Sequence, residues 1–130
     1  MRTPGSTALR FLQGDAVYLS ALDETIEILR RWAREGRTDC RSRSLSEELR
    51  AKGHNVHYRC PIISLLLADT CRRGNQGLEP MLSSLVILKA TGRPAGQFFE
   101  LAKGAPFYRT GADWSWEQER ARVIARYRER

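Results

Sequence analysis

Two histidines and a cysteine, His54, His57 and Cys60, lie three residues apart in the middle of the chain. Imidazole and thiolate are ligands that zinc prefers, and this spacing lets the three side chains share a metal if the segment is helical. However, the chain has no Cys-x-x-Cys pair, and the set matches no known zinc-finger spacing. We therefore expect no metal site and no cofactor.

Nucleophilic catalysis would need a cysteine or serine with a histidine and an orienting acid. Cys60 precedes Pro61, so its thiol is expected at a helix N-terminus, a position that activates thiols. No motif around Cys60 or Cys71 supports a partnership with His57, and neither a phosphate-binding glycine loop nor a pair of catalytic carboxylates is recognisable. We expect no catalytic residues and no enzyme activity, and a thiol-dependent sensor using Cys60 stays an open alternative.

The chain is strongly basic, with a formal net charge of +7 over 130 residues and a pI near 9.9. Such a charge favours a polyanionic partner, most often nucleic acid. The alternative is an arginine-rich protein without such a partner. Basic residues concentrate in residues 37–59, with six bases and three acids, whereas residues 15–36 carry five acids and three bases.

Length and composition predict one globular domain with a modest core, since 42% of the residues are hydrophobic. No apolar run approaches the roughly 20 residues of a membrane span, and the N-terminus lacks the apolar core of a signal peptide. The odd number of cysteines, three, fits reduced thiols. We expect no membrane partner and a cytoplasmic protein, in the bacterial nucleoid if it binds DNA.

Helical periodicity dominates the chain before residue 80. Apolar residues at three- and four-residue steps predict a scaffold helix over 15–35. A helix-turn-helix pair is predicted over 44–73. A capping box, Ser44 and Glu47, would start its first helix, and Pro61 would occupy the first position of its second.

Two apolar runs, residues 85–88 and 98–101, flank the turn-forming sequence ATGRPAG. Glycine and proline in this stretch favour a turn, and the β-branched and aromatic residues beside it favour strands. A β-hairpin over 82–101 is therefore predicted, with Lys89 and Arg93 at its tip.

A final helix is predicted over 114–129, with a basic stripe that is either a solvated face or a phosphate-contacting tail. Residues 1–14 are expected to form an irregular lead-in. The predicted fold class is α+β: a mainly helical winged helix-turn-helix domain over 15–130, with one β-hairpin wing and a C-terminal helix.

The run PMLSSLVILKATGRPAGQFF, residues 80–99, resembles a motif of small uncharacterised bacterial proteins, PPL-x-x-LVV-x-x-x-TG-x-PG-x-GF. The tail over residues 116–127 is similar to the closing helix of those proteins. This resemblance covers the C-terminal half of the chain and implies no biochemical function.

The order of predicted elements also resembles the winged-helix half of DNA alkyltransferases and their catalytically inactive relatives. In that family a Pro-Cys-His-Arg run after the recognition helix supplies the alkyl-accepting cysteine. The matching segment here, residues 85–89, contains no cysteine. The resemblance thus implies the fold and DNA binding, without alkyl transfer.

The leading prediction is a DNA-binding protein, a small transcriptional regulator or nucleoid-associated protein that contacts mainly the phosphates of double-stranded DNA. The alternative is a winged-helix protein–protein interaction or adaptor module, and a homodimer is left open. The predicted DNA-binding residues follow the helix-turn-helix connector and the hairpin tip: Arg41, Arg43, Lys52, His54, Asn55, His57, Tyr58, Arg59, Lys89 and Arg93.

Overall fold

The computed structural model describes residues 16–73 and 79–128; the predicted lead-in over 1–14 lies outside them. The described residues form five α-helices: α1 (Ala16–Arg34), α2 (Ser42–Ala51), α3 (Pro61–Arg72), α4 (Gly96–Lys103) and α5 (Trp116–Arg128). They also form a 3-10 helix (Leu82–Leu85) and two short strands, β1 (Cys40–Arg41) and β2 (Val86–Ile87). No described helix is both long and apolar enough to cross a membrane.

Helix α1 lies at the centre of the larger apolar core. It packs against α2, α3, α5 and the 3-10 helix, and its buried residues recur at three- and four-residue steps along one face. Tyr18, Leu29 and Trp32 of α1 are fully buried. The indole N–H of Trp32, in the last turn of α1, donates to Glu48 of α2 at 3.0 Å. This hydrogen bond holds α2 against the C-terminal end of α1.

A second apolar cluster lies beside β2 and carries α4. It contains Met81, Ile87, Phe98, Phe107 and Trp116. Phe98 and Trp116 come from α4 and α5, so this cluster joins the segment after β2 to the C-terminal helix.

The two strands form a parallel ribbon, with Cys40 opposite Val86 and Arg41 opposite Ile87. β1 continues directly into α2. Because parallel strands run in the same direction, both leave the ribbon at the same end. We call this the ribbon end, and it places the start of α2 beside the loop that follows β2.

A buried carboxylate holds α5 in place. Glu119 is fully buried and accepts hydrogen bonds from the Met81 backbone N–H at 2.7 Å, from Trp114 Nε1 at 2.7 Å and from Arg109 Nε at 3.1 Å. Burial alone raises the pKa of Glu119, but the hydrogen bonds from Arg109 and Trp114 outweigh it and hold the pKa below its usual 4.5. Glu119 therefore binds α5 to two separate loops as an ionised group.

The mainly helical α+β class is confirmed, but the predicted β-hairpin over 82–101 is wrong, so the winged helix is not confirmed. Residues 96–103 form α4 rather than a second strand, and β2 pairs with β1 in parallel. The run at 98–101 is only four residues long, too short for its periodicity to separate strand from helix. In the structure Phe98 and Ala102 are buried four residues apart, the spacing of one helix face.

The other helix boundaries differ from the predictions by one or two residues. α2 begins at Ser42, before the predicted capping box, and its N-cap residue Arg41 makes no side-chain cap hydrogen bond. Ser44 lies inside the first turn of α2 rather than at its N-cap position, so Ser44 and Glu47 do not form the predicted capping box. Pro61 does occupy the start of α3.

Candidate nucleic-acid interface

Two arginines flank one tyrosine where the connector between α2 and α3 ends. The guanidinium carbons of Arg43 and Arg59 lie 5.7 and 5.5 Å from the centre of the Tyr58 ring. His57 stacks on the same ring at 4.7 Å. We call these four residues the Tyr58 cluster. A guanidinium held over an aromatic ring keeps its N–H donors free in its own plane, ready for an anion.

Short-range hydrogen bonds place Tyr58 beside the first turn of α2. Ser46 of α2 donates its hydroxyl to the carbonyl of Val56, whose side chain is fully buried. The connector then closes a tight turn, because the Cys60 N–H donates to the His57 carbonyl at 2.9 Å. Pro61 starts α3 immediately afterwards. The anchored connector therefore leaves Tyr58 and its arginines at the N-terminal end of α3.

Two more arginines lie close to a tryptophan at the start of α5. The guanidinium carbons of Arg120 and Arg93 lie 4.6 and 5.7 Å from the Trp116 ring. The Trp116 indole N–H donates to the Ser84 carbonyl at 2.7 Å, which fixes the ring. Arg93 also lies 5.5 Å from the Phe99 ring. We call Arg93, Trp116 and Arg120 the Trp116 cluster.

A closed loop positions Arg93 after β2. The Leu88 N–H donates to the Arg93 carbonyl at 2.9 Å, and the Gly92 N–H donates to the Leu88 carbonyl at 2.8 Å. Gly92 has a φ of 67°, a left-handed conformation that glycine adopts without strain. The loop thus returns Arg93 to the ribbon end, a position the sequence had assigned to a hairpin tip.

The ribbon end brings both clusters to one region. Tyr58 and Arg59 line a cavity together with Leu88 and Pro94, so the connector and the loop after β2 lie on its two sides. Burial raises the pKa of Cys40 in β1 to about 11, with the charges of Arg37 and Arg120 opposing the rise and those of Asp39 and Glu35 adding to it. We define the ribbon-end surface as the cationic side chains around the ribbon end: Arg41, Arg43, Arg59, Lys89, Arg93 and Arg120. Arg37 precedes β1 and lies 4.7 Å from the centre of the Trp32 ring, so it is not part of this surface.

Most of these cations have no acidic partner among the described residues. Four of them, Arg59, Lys89, Arg93 and Arg120, form no ion pair with any carboxylate in that part of the chain. Arg41 pairs with Asp39 at 3.2 Å and Arg43 with Glu47 at 3.8 Å, both pairs with exposed side chains. Exposed pairs are weak and exchange readily, so a stronger polyanion can recruit these two arginines as well.

An acidic residue of α1 lies at the other end of α3. Asp23 pairs with Arg73, which follows the last residue of α3, at 3.3 Å. Twelve residues of helix at 1.5 Å per residue separate the two ends of α3 by about 18 Å. The Arg73–Asp23 pair and Arg59 therefore lie at opposite ends of this helix.

Seven of the predicted DNA-binding residues lie around the ribbon end. Three others lie elsewhere: Lys52 caps the C-terminal end of α2, and His54 donates its backbone N–H to Leu49 at 2.9 Å. Asn55 follows, exposed. The length of α2 places Lys52 about 14 Å from Arg43, so Lys52, His54 and Asn55 are not part of the ribbon-end surface.

Sequence reasoning missed Trp116 as a site residue, and it included Arg120 only within the basic stripe of the last helix. The neighbours of Arg120 in that stripe are engaged elsewhere, since Arg122 pairs with Glu119 and Arg126 with Glu79. The sequence alone does not distinguish Arg120 from Arg122. The two differ because Arg122 pairs with the buried carboxylate of Glu119 in the folded chain.

The described residues contain no group of three histidine, cysteine or acidic side chains able to hold a metal ion. Cys40 and Cys71 are buried, whereas Cys60 is half-buried beside the Tyr58 cluster. Burial raises the pKa of the Cys71 thiol, as it does for Cys40, so neither is suited to attack as a thiolate.

Comparison of the chain with protein-family models, curated proteins and solved structures finds no match. Its function must therefore be inferred from its own side chains.

Proposed function

We propose that the chain binds double-stranded DNA through the ribbon-end surface, as a small transcriptional regulator or nucleoid-associated protein without catalysis. One observation carries the proposal: arginines that pair with no carboxylate among the described residues lie around the ribbon end, next to the start of α3. Counterion release from phosphates would drive such binding. The net charge of +7 would add long-range attraction to a polyanion.

The two aromatic rings give the arginines a defined geometry. Arg43 and Arg59 are held against Tyr58, and Arg93 and Arg120 against Trp116. Stacking restricts the side-chain rotamers, so less conformational entropy is lost when the guanidinium groups bind phosphates. Two such pairs suit contacts to two points on a duplex backbone.

Binding through α3 itself would offer little base reading. From Ile62 to Cys71 every residue of α3 is buried or half-buried, so the helix presents no exposed polar side chain there to the floor of a groove. Base-specific readout depends on side chains that reach base edges. We therefore propose weak sequence preference, with phosphate contacts supplying most of the affinity.

The proposal is tested by fluorescence anisotropy with a labelled random-sequence duplex across a salt series. Arg59→Ala should weaken binding and reduce the slope of log K against log salt by about 1, the value for one lost phosphate contact. Arg73→Ala is the matched control, because Arg73 is exposed and lies at the opposite end of α3. Equal effects of the two substitutions would contradict the proposal.

The alternative of a protein–protein adaptor receives less support. A surface that binds a partner protein would be expected to expose a contiguous apolar patch. Among the described residues, the exposed large apolar side chains are Val17, Leu88 and Tyr108. They belong to α1, the loop after β2 and the loop before α5, three separate segments. A pull-down with the folded chain, together with absent DNA binding at low salt, would favour the adaptor.

A further inference from the structure

We infer that the cavity between α3 and α4 is a binding site for a small molecule with an apolar body and a single anionic group. The cavity has a volume of about 420 Å³, within the range of about 300–1,000 Å³ that small-molecule sites occupy. It opens beside the Tyr58 cluster. The inference goes beyond DNA binding and does not depend on it.

The inner surface of the cavity is built from apolar side chains of three elements. Ile63 and Leu67 come from α3, Ile87 from β2, and Phe98 and Leu101 from α4. Such a lining hydrates poorly and favours an aromatic or branched aliphatic body over a sugar or a polyamine. The walls belong to packed elements, so the space is a feature of the fold.

The positive charge at the cavity favours an anionic group on the ligand. Arg59 is the single charged residue among the described residues that line it, and no described carboxylate pairs with Arg59. The lining also includes Cys60 and Pro61, where α3 begins and its dipole is positive. A carboxylate or sulfonate is therefore attracted, and a cationic ligand is repelled.

Polar groups along the walls can orient such a ligand without adding charge. Ser42, Ser64 and Gln97, residues with hydroxyl or amide side chains, are part of the lining. A few polar groups in a mainly apolar site are the usual source of orientation in small-molecule pockets. The complementary ligand is thus a monoanion whose apolar end lies between Leu67 and Phe98, with its anionic end at Arg59.

A pair of fluorescent dyes tests both halves of the inference. Anilinonaphthalene sulfonate has an aromatic body and one sulfonate, and phenylnaphthylamine has a similar body without the charge. The folded wild-type chain should bind the sulfonate dye saturably with one-to-one stoichiometry. Arg59→Ala should weaken the sulfonate dye about 10-fold, the scale of one charge-assisted hydrogen bond, and leave the neutral dye within about twofold. Arg73→Ala should bind both dyes as the wild type does.

Filling the cavity is the complementary test. Ala95→Phe and Ala68→Leu each add a side chain at a lining position, and both dyes should then bind at least about 10-fold more weakly. Two filling variants are used so that at least one with wild-type circular dichroism is available. Absence of saturable binding to the wild type, wild-type binding by a folded filling variant, or equal losses of both dyes in Arg59→Ala would each overturn the inference.

Discussion

Replacing Glu119 with glutamine tests whether a buried carboxylate holds α5 to the rest of the structure. The Glu119 side chain has no solvent exposure, and its main ionic partner, Arg109, is only 17% exposed. The glutamine has nearly the same shape, so it creates little cavity, but it removes the charge that balances Arg109. The largely buried guanidinium would then lose the Glu119 carboxylate and keep its hydrogen bonds to the backbone carbonyls of Phe107 and Glu79.

Breaking a buried ion pair by removing one partner costs about 3–5 kcal/mol. The Met81 N–H donates to Oε2 and Trp114 Nε1 donates to Oε1, so the single amide oxygen of glutamine serves only one of them and the other donor faces the amide NH2. We therefore expect a loss of at least about 3 kcal/mol. For a domain of this size that corresponds to a decrease in Tm of about 10 °C. Urea unfolding followed by circular dichroism measures the free energy directly, and Glu117→Gln, an exposed position in the same helix, is the control.

A loss below about 1 kcal/mol, or a loss equal to that of Glu117→Gln, would refute this account of Glu119. The pH dependence gives a second check. Because the pKa of Glu119 is lowered in the folded state, its stabilisation is present above about pH 4.5 and is lost as the pH falls through the folded-state value. Wild type should therefore lose more stability in acid than Glu119→Gln does.

Two further predictions concern buried side chains. Burial, and then the hydrogen bond to Asp69, raise the pKa of Tyr18 above its usual 10.0, so stability should fall above about pH 10 and Tyr18→Phe should reduce that fall in urea unfolding across alkaline pH. Native thiol labelling should show one fast cysteine, Cys60, since Cys40 and Cys71 are buried. A fast phase that persists in Cys60→Ala would contradict the assigned burial.

The helices around the core could be predicted because their signals are local. The apolar spacing of residues 15–35 and the terminal Gly36 give α1 nearly its observed limits, Ala16–Arg34. Pro61 correctly marks the start of α3. In both cases a residue type at the boundary has a fixed backbone preference, which acts regardless of the tertiary structure.

The sheet could not be predicted, because its partner strands are distant in sequence and only two residues long each. Nothing marks Cys40 and Arg41 as a strand until Val86 and Ile87 lie beside them. The apolar run at residues 98–101 predicts a second hairpin strand, but in the structure it belongs to α4, with Phe98 buried on one helix face. Tertiary packing overrides local propensity at such short segments.

The residues of the candidate site also fall into a group that the sequence could predict and a group that it could not. Arg43, Arg59 and Arg93 could be selected from the sequence because they lie near predicted turns. Trp116 and Arg120 belong to a helix whose arginines look equivalent in sequence. In the structure, Arg120 differs from Arg122 and Arg126 because those two pair with Glu119 and Glu79.

The most direct test of DNA binding through the ribbon-end surface compares two double variants of equal net charge. Arg59→Ala/Arg93→Ala removes two unpaired arginines, and Arg30→Ala/Arg73→Ala removes two that pair with Glu27 and Asp23. Both lower the net charge by two from +7. In anisotropy titrations with a random duplex, the first should reduce the salt slope by about 2, and the second should retain nearly the wild-type slope. Equal slopes for the two variants would contradict the proposed interface and leave only nonspecific attraction by net charge.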